Sequence, residues 1–338
     1  MTVRVGVIGA GMIGQDHIRR LTDVVTGAEV VAVTDIDQVR AEQVAGGVDA
    51  RVAASGADLI AASDVDAVLV TSWGPTHAEH VLAAIEAGKP VFCEKPLATV
   101  AEDCLRIVEA EMARGRRLVQ VGFMRRYDSG YREMKQILDS GEIGAPLMVH
   151  CAHRNPTVPE SYHSEMAVQD TAVHEIDVLR WLLDDEFVSA QVLTPRKTGL
   201  RFEHLQDPQI MLFETTGGVR VDLEVFVNCQ YGYDIQCETV GECGLVRLPD
   251  PARVTVRGAG LTASAVTQDW RERFVAAFDI EFQEWVDSVA AGAIAGPSAW
   301  DGYAAMVIGD ATVEALHSGR IVGVNMKDRP DFYAGRPA

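Results

Sequence analysis

Residues 3–14 read VRVGVIGAGMIG, a short apolar run that leads directly into a glycine-rich turn. The run predicts a buried strand, and the residues after the turn predict a helix. In the G-x-G-x-x-G pattern, the first glycine allows a tight turn, the second lets the backbone approach a pyrophosphate, and the third lets the helix pack closely on the strand. The alternative is a glycine-rich turn without a ligand. The strand and helix context favours a dinucleotide site, with amide donors at the helix N-terminus, at Gly9, Gly11, Met12, Ile13 and Gly14.

Asp35 ends the second predicted strand 21 residues after Gly14, where this pattern places an acid for the ribose hydroxyls. Its carboxylate would repel a 2′-phosphate. The next two residues, Ile36 and Asp37, supply no cation, and Arg40 lies a turn further on. The residues therefore favour NAD over NADP. The alternative for Asp35 is that it is a plain turn residue at the strand end, without a ligand.

Apolar β-branched runs alternate with helical patterns over the first 120 or so residues, for example the helix predicted over His77–Ala87. Continuous apolar strands separated by helices are typical of a parallel sheet covered on both faces. The sequence therefore predicts an α/β, doubly wound Rossmann domain over residues 1–122. Its strands are predicted at Val3–Ile8, Glu29–Thr34, Ala67–Thr71, Pro90–Cys93 and Arg117–Val121.

After Gly122 the pattern changes to a linking helix, Ser129–Ser140, followed by strands in runs. Two substantial helices are predicted, Val168–Leu183 and Phe274–Ala291. Consecutive strands with tight turns indicate a mostly antiparallel open sheet, so residues 123–330 are predicted to form an α+β domain for substrate binding and oligomerisation. We expect the tail after Asn325 to be loosely held. The predicted strands are Leu147–His153, Ser189–Arg196, Gln209–Thr215, Val219–Val227, Asp234–Val240 and Ala252–Val256.

The composition is that of a globular protein, with 48% hydrophobic and 23% charged residues among 338. With 30 basic and 49 acidic residues the formal net charge is −19, which disfavours nucleic acid and membrane surfaces as partners. The six cysteines are scattered without a C-x-x-C pair, which favours reduced thiols in the cytoplasm. We see neither a signal peptide nor an apolar stretch of ~18 residues.

Three residues carry the predicted chemistry. Lys95, in Glu94-Lys95-Pro96, follows the fourth strand at the carboxyl end of the sheet, where doubly wound folds bind ligands. Asp170 and His174 stand four apart in a helical pattern, so they share one face and can form a general base oriented by a carboxylate. Each residue has an alternative interpretation without a catalytic role: Lys95 as a surface lysine in a loop, Asp170 as a helix N-cap, and His174 as an interface histidine with its hydrogen bonds satisfied. The bond before Pro96 is a candidate cis bond.

A metal site is disfavoured. His150 and His153 stand three apart in a predicted strand and point to opposite faces, so they cannot reach one metal without a bulge.

The strand Val219–Val227 alternates between apolar residues and a mixed set. The mixed face is either exposed or a contact between copies of the chain, and we expect a homo-oligomer, most simply a tetramer. The face carries Arg220, Asp222, Glu224 and Phe226.

Taken together, VGVIGAGMIG, Asp35, TSWGPTHAEHVLAAIEAGKPVFCEKPLA and the D-x-x-x-H pair resemble the Gfo/Idh/MocA oxidoreductases over nearly the whole chain. Within that family, VGFMRRYDSGY and QDTAVHEIDVLRWLL are similar to inositol dehydrogenases. The resemblance implies that Lys95 positions a hydroxyl, His174 takes its proton and Asp170 orients the histidine. It places Ser72, Trp73, His77 and Glu94 along the cofactor, and further ring-hydroxyl contacts at Arg125, His153, Asn155 and Tyr233, with Arg126 and Tyr231 as neighbouring alternatives.

The expected reaction is oxidation of a cyclic polyol, myo-inositol to its inosose, with a hydride passing to NAD. Two alternatives remain open: a dehydrogenase of another inositol isomer or an aldose, and a non-catalytic NAD-bound sensor. An intact lysine, aspartate and histidine set argues against the sensor, because a pure binder needs no base.

Overall fold

The computed structural model describes residues 2–200, 202–250 and 254–334, and the chain divides into two compact units. The first unit comprises Met1–Phe123, Phe278–Met306 and Lys327–Ala338, and the second comprises Met124–Ala277 and Val307–Met326. This division differs from the two continuous domains predicted at residues 1–122 and 123–330, because a late stretch of the chain joins the first unit. The aromatic side chains of Phe282 and Trp285 account for this, since they belong to the same buried cluster as Val5 and Phe92.

The sheet of the first unit has six strands, all paired in parallel in the order β3-β2-β1-β4-β5-β6. The order reverses between β1 and β4, and ligands of open α/β sheets bind at such a switch point. The predicted doubly wound domain is confirmed. The strands are β1 Val3–Ile8, β2 Ala28–Thr34, β3 Arg51–Val52, β4 Ala67–Val70, β5 Val91–Glu94 and β6 Val119–Gly122.

Helices follow the strands of this unit and cover the sheet. Their apolar faces have helical spacing, as in the first helix, where Gly14, His17, Ile18 and Leu21 are buried. The helices are α1 Met12–Asp23, α2 Gln38–Gly46, α3 Gly56–Ala61, α4 His77–Glu86 and α5 Ala101–Arg114, with a 3₁₀ turn at Gly74–Thr76.

The sheet of the second unit has seven strands in the order β12-β11-β7-β10-β9-β8-β15, and only β7 and β10 pair in parallel. The predicted mostly antiparallel sheet is confirmed. The strand predicted over Ala252–Val256 is found at Thr255–Gly258, and residues 252 and 253 lie outside the described part of the chain. The strands are β7 Pro146–Arg154, β8 Phe187–Leu193, β9 Gln209–Thr215, β10 Arg220–Phe226, β11 Asp234–Gly241, β12 Leu245–Arg247, the separate hairpin β13 Thr255–Gly258 and β14 Leu261–Ser264, and β15 Val322–Gly323.

The helices of the second unit begin with α6 Ser129–Ser140, which ends at Gly141 as predicted. The helix predicted over Val168–Leu183 is divided into a π-helical turn, Ala167–Ala172, and α7 Val173–Leu183. The division into units falls inside α8 Trp270–Ala291 and inside α9 Ala299–Ser318. Every helix among the described residues is too short or too polar to cross a lipid bilayer.

The alternation predicted for β10 is present. Val221, Leu223 and Val225 are buried, whereas Arg220 is exposed and the other residues of its face are half-buried. Ion pairs cross this outer face between neighbouring strands, including Arg220 with Glu214 at 3.0 Å. The outer face of the sheet is therefore charged but not fully solvated.

The tail of the chain is anchored up to residue 334, so the expectation of a loosely held segment after Asn325 is wrong there. Helix α10 Asp331–Ala334 buries Tyr333, whose hydroxyl donates to Glu111 Oε2 at 2.6 Å. Residues 335–338 lie outside the described residues.

Candidate active site

The glycine-rich turn after β1 has the shape that a pyrophosphate cradle requires. Gly9 has φ +100°, and a Cβ there would lie 2.5 Å from Ser72 N. A Cβ on Gly14 would lie 2.1 Å from Gly9 O, so this glycine is needed for packing of α1 against the turn. A Cβ on Gly11 would meet no atom within 4 Å. The open space therefore lies over Gly11, at the N-terminus of α1, which is the place where the pattern puts the phosphates.

Asp35 is held at the end of β2 by this same turn. Its Oδ2 accepts from Ala10 N at 2.6 Å, and its Oδ1 accepts from Asp37 N at 2.8 Å and from Arg40 Nη2 at 2.9 Å. Burial opposes ionisation of this carboxyl, but the hydrogen bonds from Arg40 and the two backbone amides outweigh it and lower its pKa. Sequence reasoning placed Arg40 a turn away and missed this contact, which an i, i+5 spacing across a strand end and a helix start does not reveal.

The segment after β4 carries three predicted cofactor residues. Trp73 is 79% exposed, and Ser72 is half-buried with its Oγ 2.7 Å from Thr76 Oγ1. His77 is buried, and its two ring nitrogens lie 2.9 Å from Ser72 O and 2.7 Å from Pro96 O. His77 therefore braces the loops after β4 and β5, while Ser72 and Trp73 are the accessible members.

Lys95 follows β5 in a tight turn closed by a cis bond to Pro96. The backbone N of Lys95 donates to Glu94 Oε2 at 3.1 Å, and the Glu94 side chain is buried whereas Lys95 is half-buried. Glu94 thus fixes the backbone of the turn, and Lys95 directly follows β5 at the carboxyl end of the sheet.

In the second unit, Asp170 and His174 lie on successive turns of helix. Asp170 is exposed on the π-helical turn, and half-buried His174 is in the first turn of α7. Tyr162 Oη lies 2.6 Å from Thr171 Oγ1 and supports the π turn beside Asp170. Irregular turns of this kind occur often at functional sites, and the predicted pairing of Asp170 and His174 on one face is compatible with it.

Four side chains form a buried cluster near the ends of β7 and β11: Arg125, His153, Glu175 and Tyr233. Arg125 forms an ion pair with Glu175, both 1% exposed. His153 Nδ1 lies 3.0 Å from Glu175 Oε2 and 3.1 Å from Arg125 Nη2, and its ring meets that of Tyr233 edge-on at 5.6 Å. Burial works against ionisation of Glu175, but the charges of Arg125 and His153 and their hydrogen bonds together outweigh it and hold the pKa of Glu175 below its usual value. Burial raises the pKa of Tyr233 to about 12, so its hydroxyl remains protonated.

Arg125 and Tyr233 belong to this cluster, whereas the neighbouring alternatives, Arg126 and Tyr231, have other partners. Arg126 donates from Nε to Asp177 Oδ2 at 2.9 Å, and Tyr231 is 46% exposed and binds the Arg154 guanidinium at 3.1 Å. Neither contacts the cluster through these groups.

Asn155 follows β7 and is half-buried, with its backbone N donating to Phe226 O at 3.0 Å. This leaves its amide side chain at the end of the strand that carries His153.

The structure assembles the predicted residues in two sets. The glycine turn, Asp35, Ser72, Trp73, His77, Glu94 and Lys95 belong to the first unit, and Arg125, His153, Asn155, Asp170, His174 and Tyr233 belong to the second. Their roles toward ligands stay predictions. Among the described residues, no three His, Cys, Asp or Glu side chains are grouped to hold a metal ion. Glu175 was missed, although an acidic residue on the buried face of an apolar helix is a signal for a buried partner such as Arg125.

Family models match both parts of the chain. The model described as "Oxidoreductase family, NAD-binding Rossmann fold" covers residues 3–123, and its companion, "Oxidoreductase family, C-terminal alpha/beta domain", covers residues 135–326. The open space over Gly11 and the carboxylate of Asp35 fit an NAD, in agreement with the predicted cofactor.

Relatives are similar over their full length. The chain is 76% identical over 335 residues to "Inositol 2-dehydrogenase 3" of Saccharopolyspora erythraea, covering 99% of each chain. It is 62% identical to "Inositol 2-dehydrogenase" of Ralstonia nicotianae, over 99% of this chain and 100% of that one. A crystal structure of myo-inositol dehydrogenase from Lactobacillus casei in complex with NAD(H) and myo-inositol superimposes with a TM-score of 0.97 at 44% identity, covering 98% of this chain and 100% of that one. The chain therefore belongs to the Gfo/Idh/MocA family of NAD-binding oxidoreductases, as its sequence predicted.

Proposed function

We propose that this chain is an NAD-dependent inositol 2-dehydrogenase that oxidises myo-inositol at one secondary hydroxyl to 2-keto-myo-inositol (scyllo-inosose). The observation that carries the proposal is full-length similarity to proteins named for that activity, at 76% identity over 335 residues. The residues that the chemistry needs, Lys95, Asp170 and His174, are all present. The reaction would open the catabolism of a cyclic polyol.

His174 is the proposed base. Its imidazole takes the proton of the reacting hydroxyl, while Asp170, one turn before it, orients the ring and favours the protonated product state. The ammonium group of Lys95 donates to the same oxygen and stabilises the negative charge that develops on it. Bound NAD would supply the acceptor for the hydride that leaves the carbon. The protein thus supplies alignment and proton handling.

The remaining ring hydroxyls need fixed donors and acceptors, because the polyol carries no charge. The phenol of Tyr233 stays protonated and can donate, and the amide of Asn155 can both donate and accept. Nδ1 of His153 lies within hydrogen-bond distance of both Glu175 Oε2 and Arg125 Nη2, and we assign the opposite edge of the ring, with Nε2, to the substrate. Arg125 is 1% exposed, and we assign it the part of holding His153 and Glu175 in place.

We assign the cofactor contacts to residues at the carboxyl end of the six-stranded sheet in the first unit. Asp35 accepts from the adenosine ribose, and the turn after β1 and the N-terminus of α1 face the pyrophosphate. Ser72 and Trp73 line the loop toward the nicotinamide, with His77 and Glu94 supporting this loop and the Lys95 turn. The turn residues are Gly9, Gly11, Met12, Ile13 and Gly14.

The test is a substrate panel with NAD, following NADH absorbance with purified protein. We expect efficient turnover of myo-inositol. Deoxy-inositols that lack a hydroxyl next to the reacting carbon should be poor substrates, since a site built around each hydroxyl leaves buried polar groups unpaired when one is missing. If another inositol isomer or an aldose is oxidised efficiently and myo-inositol is not, the substrate assignment is wrong. No turnover with any polyol would favour a non-catalytic sensor.

We further propose that the protein is a homotetramer built on the outer face of the seven-stranded sheet. That face combines cross-strand ion pairs, such as Arg154 with Glu224 at 2.6 Å, with exposed apolar side chains, Met148 at 41% and Ile321 at 68%. A mixed face of this kind suits self-complementary contacts between identical subunits. A monomeric mass in light scattering at micromolar concentration would contradict this proposal.

The cytoplasm is the proposed compartment. All six cysteines are free thiols, including Cys151 and Cys237, which face each other across β7 and β11. Thiols that stay free in such positions are typical of a reducing compartment. Labelling of the thiols in freshly lysed cells under native and denaturing conditions would test this.

A further inference from the structure

A chain of buried polar contacts lies beneath the Glu94–Lys95 turn, within the first unit. His17 is 0% exposed, Arg20 is 1% exposed and Glu94 is 8% exposed. His17 and Arg20 lie on α1, the helix that starts at the glycine-rich turn. Buried polar side chains that take no direct part in the chemistry need another reason to be there.

The contacts fix the direction of each hydrogen bond. Arg20 Nη1 lies 2.9 Å from His17 Nδ1, and since a guanidinium can only donate, Nδ1 accepts. The ring proton is then on Nε2, which donates to Glu94 Oε1 at 2.8 Å. The other carboxylate oxygen, Oε2, accepts from Lys95 N at 3.1 Å. One carboxylate therefore joins a buried imidazole to the backbone of the Lys95 turn.

The imidazole has little freedom to move. Its ring packs 4.4 Å from that of Phe282 and 5.5 Å from that of Phe278, centroid to centroid. Arg20 is anchored in turn by Asp279 Oδ1 at 2.7 Å and Asp16 Oδ2 at 3.0 Å. The donor that meets Glu94 is thus held from behind by packing and by an ion-pair network.

Strand β6 also confines Glu94. A Cβ on Gly122 would lie 3.1 Å from Glu94 Cδ, so β6 passes directly beside the carboxylate. With one oxygen on His17 and the other on Lys95 N, the carboxylate has a single orientation that satisfies both donors.

We propose that His17 is a positioning residue for Lys95: its Nε2–H holds the Glu94 carboxylate so that Oε2 receives the backbone N–H of Lys95 and fixes the turn that carries the ammonium group. The inference rests on the proposed role of Lys95 in holding the reacting hydroxyl. A shift of about 1 Å in a reacting group costs on the order of 100-fold in rate. Loss of the His17 link should therefore lower turnover, although His17 meets neither substrate nor cofactor.

Two substitutions at the same position separate positioning from packing. The side-chain nitrogen of glutamine falls near the place of Nε2, so His17→Gln keeps a donor toward Glu94. The oxygen of asparagine falls near the place of Nδ1, so His17→Asn keeps the acceptor for Arg20 and loses the donor. Both variants empty part of the same aromatic cavity, and their melting temperatures should fall together.

We expect His17→Asn to lose about 100-fold in kcat, by the same misplacement scale, and His17→Gln to stay within a few-fold of wild type. The affinity for NADH, measured by fluorescence without turnover, should be alike in the two variants because the glycine turn is untouched. Equal kcat values in His17→Asn and His17→Gln would overturn the inference, and so would a loss confined to NADH affinity.

Two further arms complete the experiment. The turnover of Lys95→Ala is measured alongside. Wild-type turnover in Lys95→Ala would overturn the proposed role of Lys95. A large loss in Lys95→Ala, with equal kcat values in His17→Asn and His17→Gln, would overturn only the proposed positioning role of His17. If His17→Asn is not recovered folded, Glu94→Gln cuts the same link from its other end. In the Glu94→Gln background, His17→Gln can turn its amide to accept from the new amide, so the double variant should regain turnover. Failure to regain it would refute the link.

Discussion

The ion pair between Arg125 and Glu175 allows a prediction whose size follows from burial. Both side chains are 1% exposed, so Glu175→Gln would leave the guanidinium in the interior without its counter-charge. Breaking a buried pair by removing one partner costs about 3–5 kcal/mol, because a desolvated charge stays behind. The second unit contains about 170 residues. At that size each kcal/mol moves the melting temperature by about 2–4 °C, so we expect a loss of about 6–20 °C.

The assay is thermal unfolding followed by circular dichroism, with two comparisons. Arg51 and Asp64 form an exposed pair, with side chains 41% and 47% exposed, and Asp64→Asn should leave the melting temperature nearly unchanged. Adding Arg125→Met to Glu175→Gln removes the uncompensated charge and should recover much of the loss. A Glu175→Gln melting temperature within about 2 °C of wild type would refute the reasoning, since that corresponds to about 1 kcal/mol at most.

The effect should also depend on pH, with a definite sign. The pKa of Glu175 lies below its usual value despite burial, because Arg125 and His153 together outweigh the effect of burial. The stabilisation from a carboxylate with a lowered pKa is present above the pKa of the unfolded chain and is lost as pH falls through the lowered pKa of the folded state. The difference in melting temperature between wild type and Glu175→Gln should therefore be largest near neutral pH and should narrow in acid. A difference that widens in acid would contradict the sign.

Three further outcomes are expected. Lys95→Ala and His174→Ala should each lose at least ~100-fold in turnover, which is the scale of a general acid or base. The rate of oxidation by the wild-type enzyme should rise with pH as the imidazole loses its proton. Near-normal turnover in either variant would exclude that residue from the mechanism. Asp35→Ser should strengthen NADPH binding and weaken NADH binding. The reason is that Arg40 Nη2, which lies 2.9 Å from the Asp35 carboxylate, becomes available to a 2′-phosphate. Fluorescence titration should show that adding Arg40→Ala to Asp35→Ser abolishes the gain in NADPH affinity. Phe226→Asp should reduce the mass in light scattering without loss of folded secondary structure, and an unchanged tetramer would place the contact elsewhere.

Much of the fold could be predicted from local sequence patterns. The parallel strands could be predicted because each is a continuous apolar run, and β1 and α4 have almost the predicted bounds. The packing of Phe282 and Trp285 in the first unit could not be predicted. The spacing of apolar residues in a helix shows which face is buried, but it does not show which sheet that face packs against. The π turn at Asp170 was hidden for a different reason: a spacing of four residues fits both an α-helix and a π turn.

The candidate site was predicted by residue identity more completely than by role. Arg125 and His153 were predicted as contacts to ring hydroxyls; the structure shows that both are buried beside Glu175, and their contact with a ligand stays a prediction. Sequence resemblance transfers a residue, but it cannot distinguish a side chain that touches a ligand from one that holds its neighbour. That distinction depends on burial and on which atoms are already engaged.

The two buried polar networks make the same kind of contribution to a site for a neutral ligand. A polyol offers no charge to pull flexible side chains into place, so its hydroxyls are bound well only by donors and acceptors that are already fixed. His17 fixes the Lys95 turn through Glu94 in the first unit, and Glu175 fixes the ring of His153 in the second. In each case a buried carboxylate has its partners inside the protein, and under the proposed function this would hold the substrate-facing atoms in place before the polyol binds. The cost of burying charge is thus incurred during folding, and under the proposed function the hydroxyl pattern would be recognised by groups that are already in place.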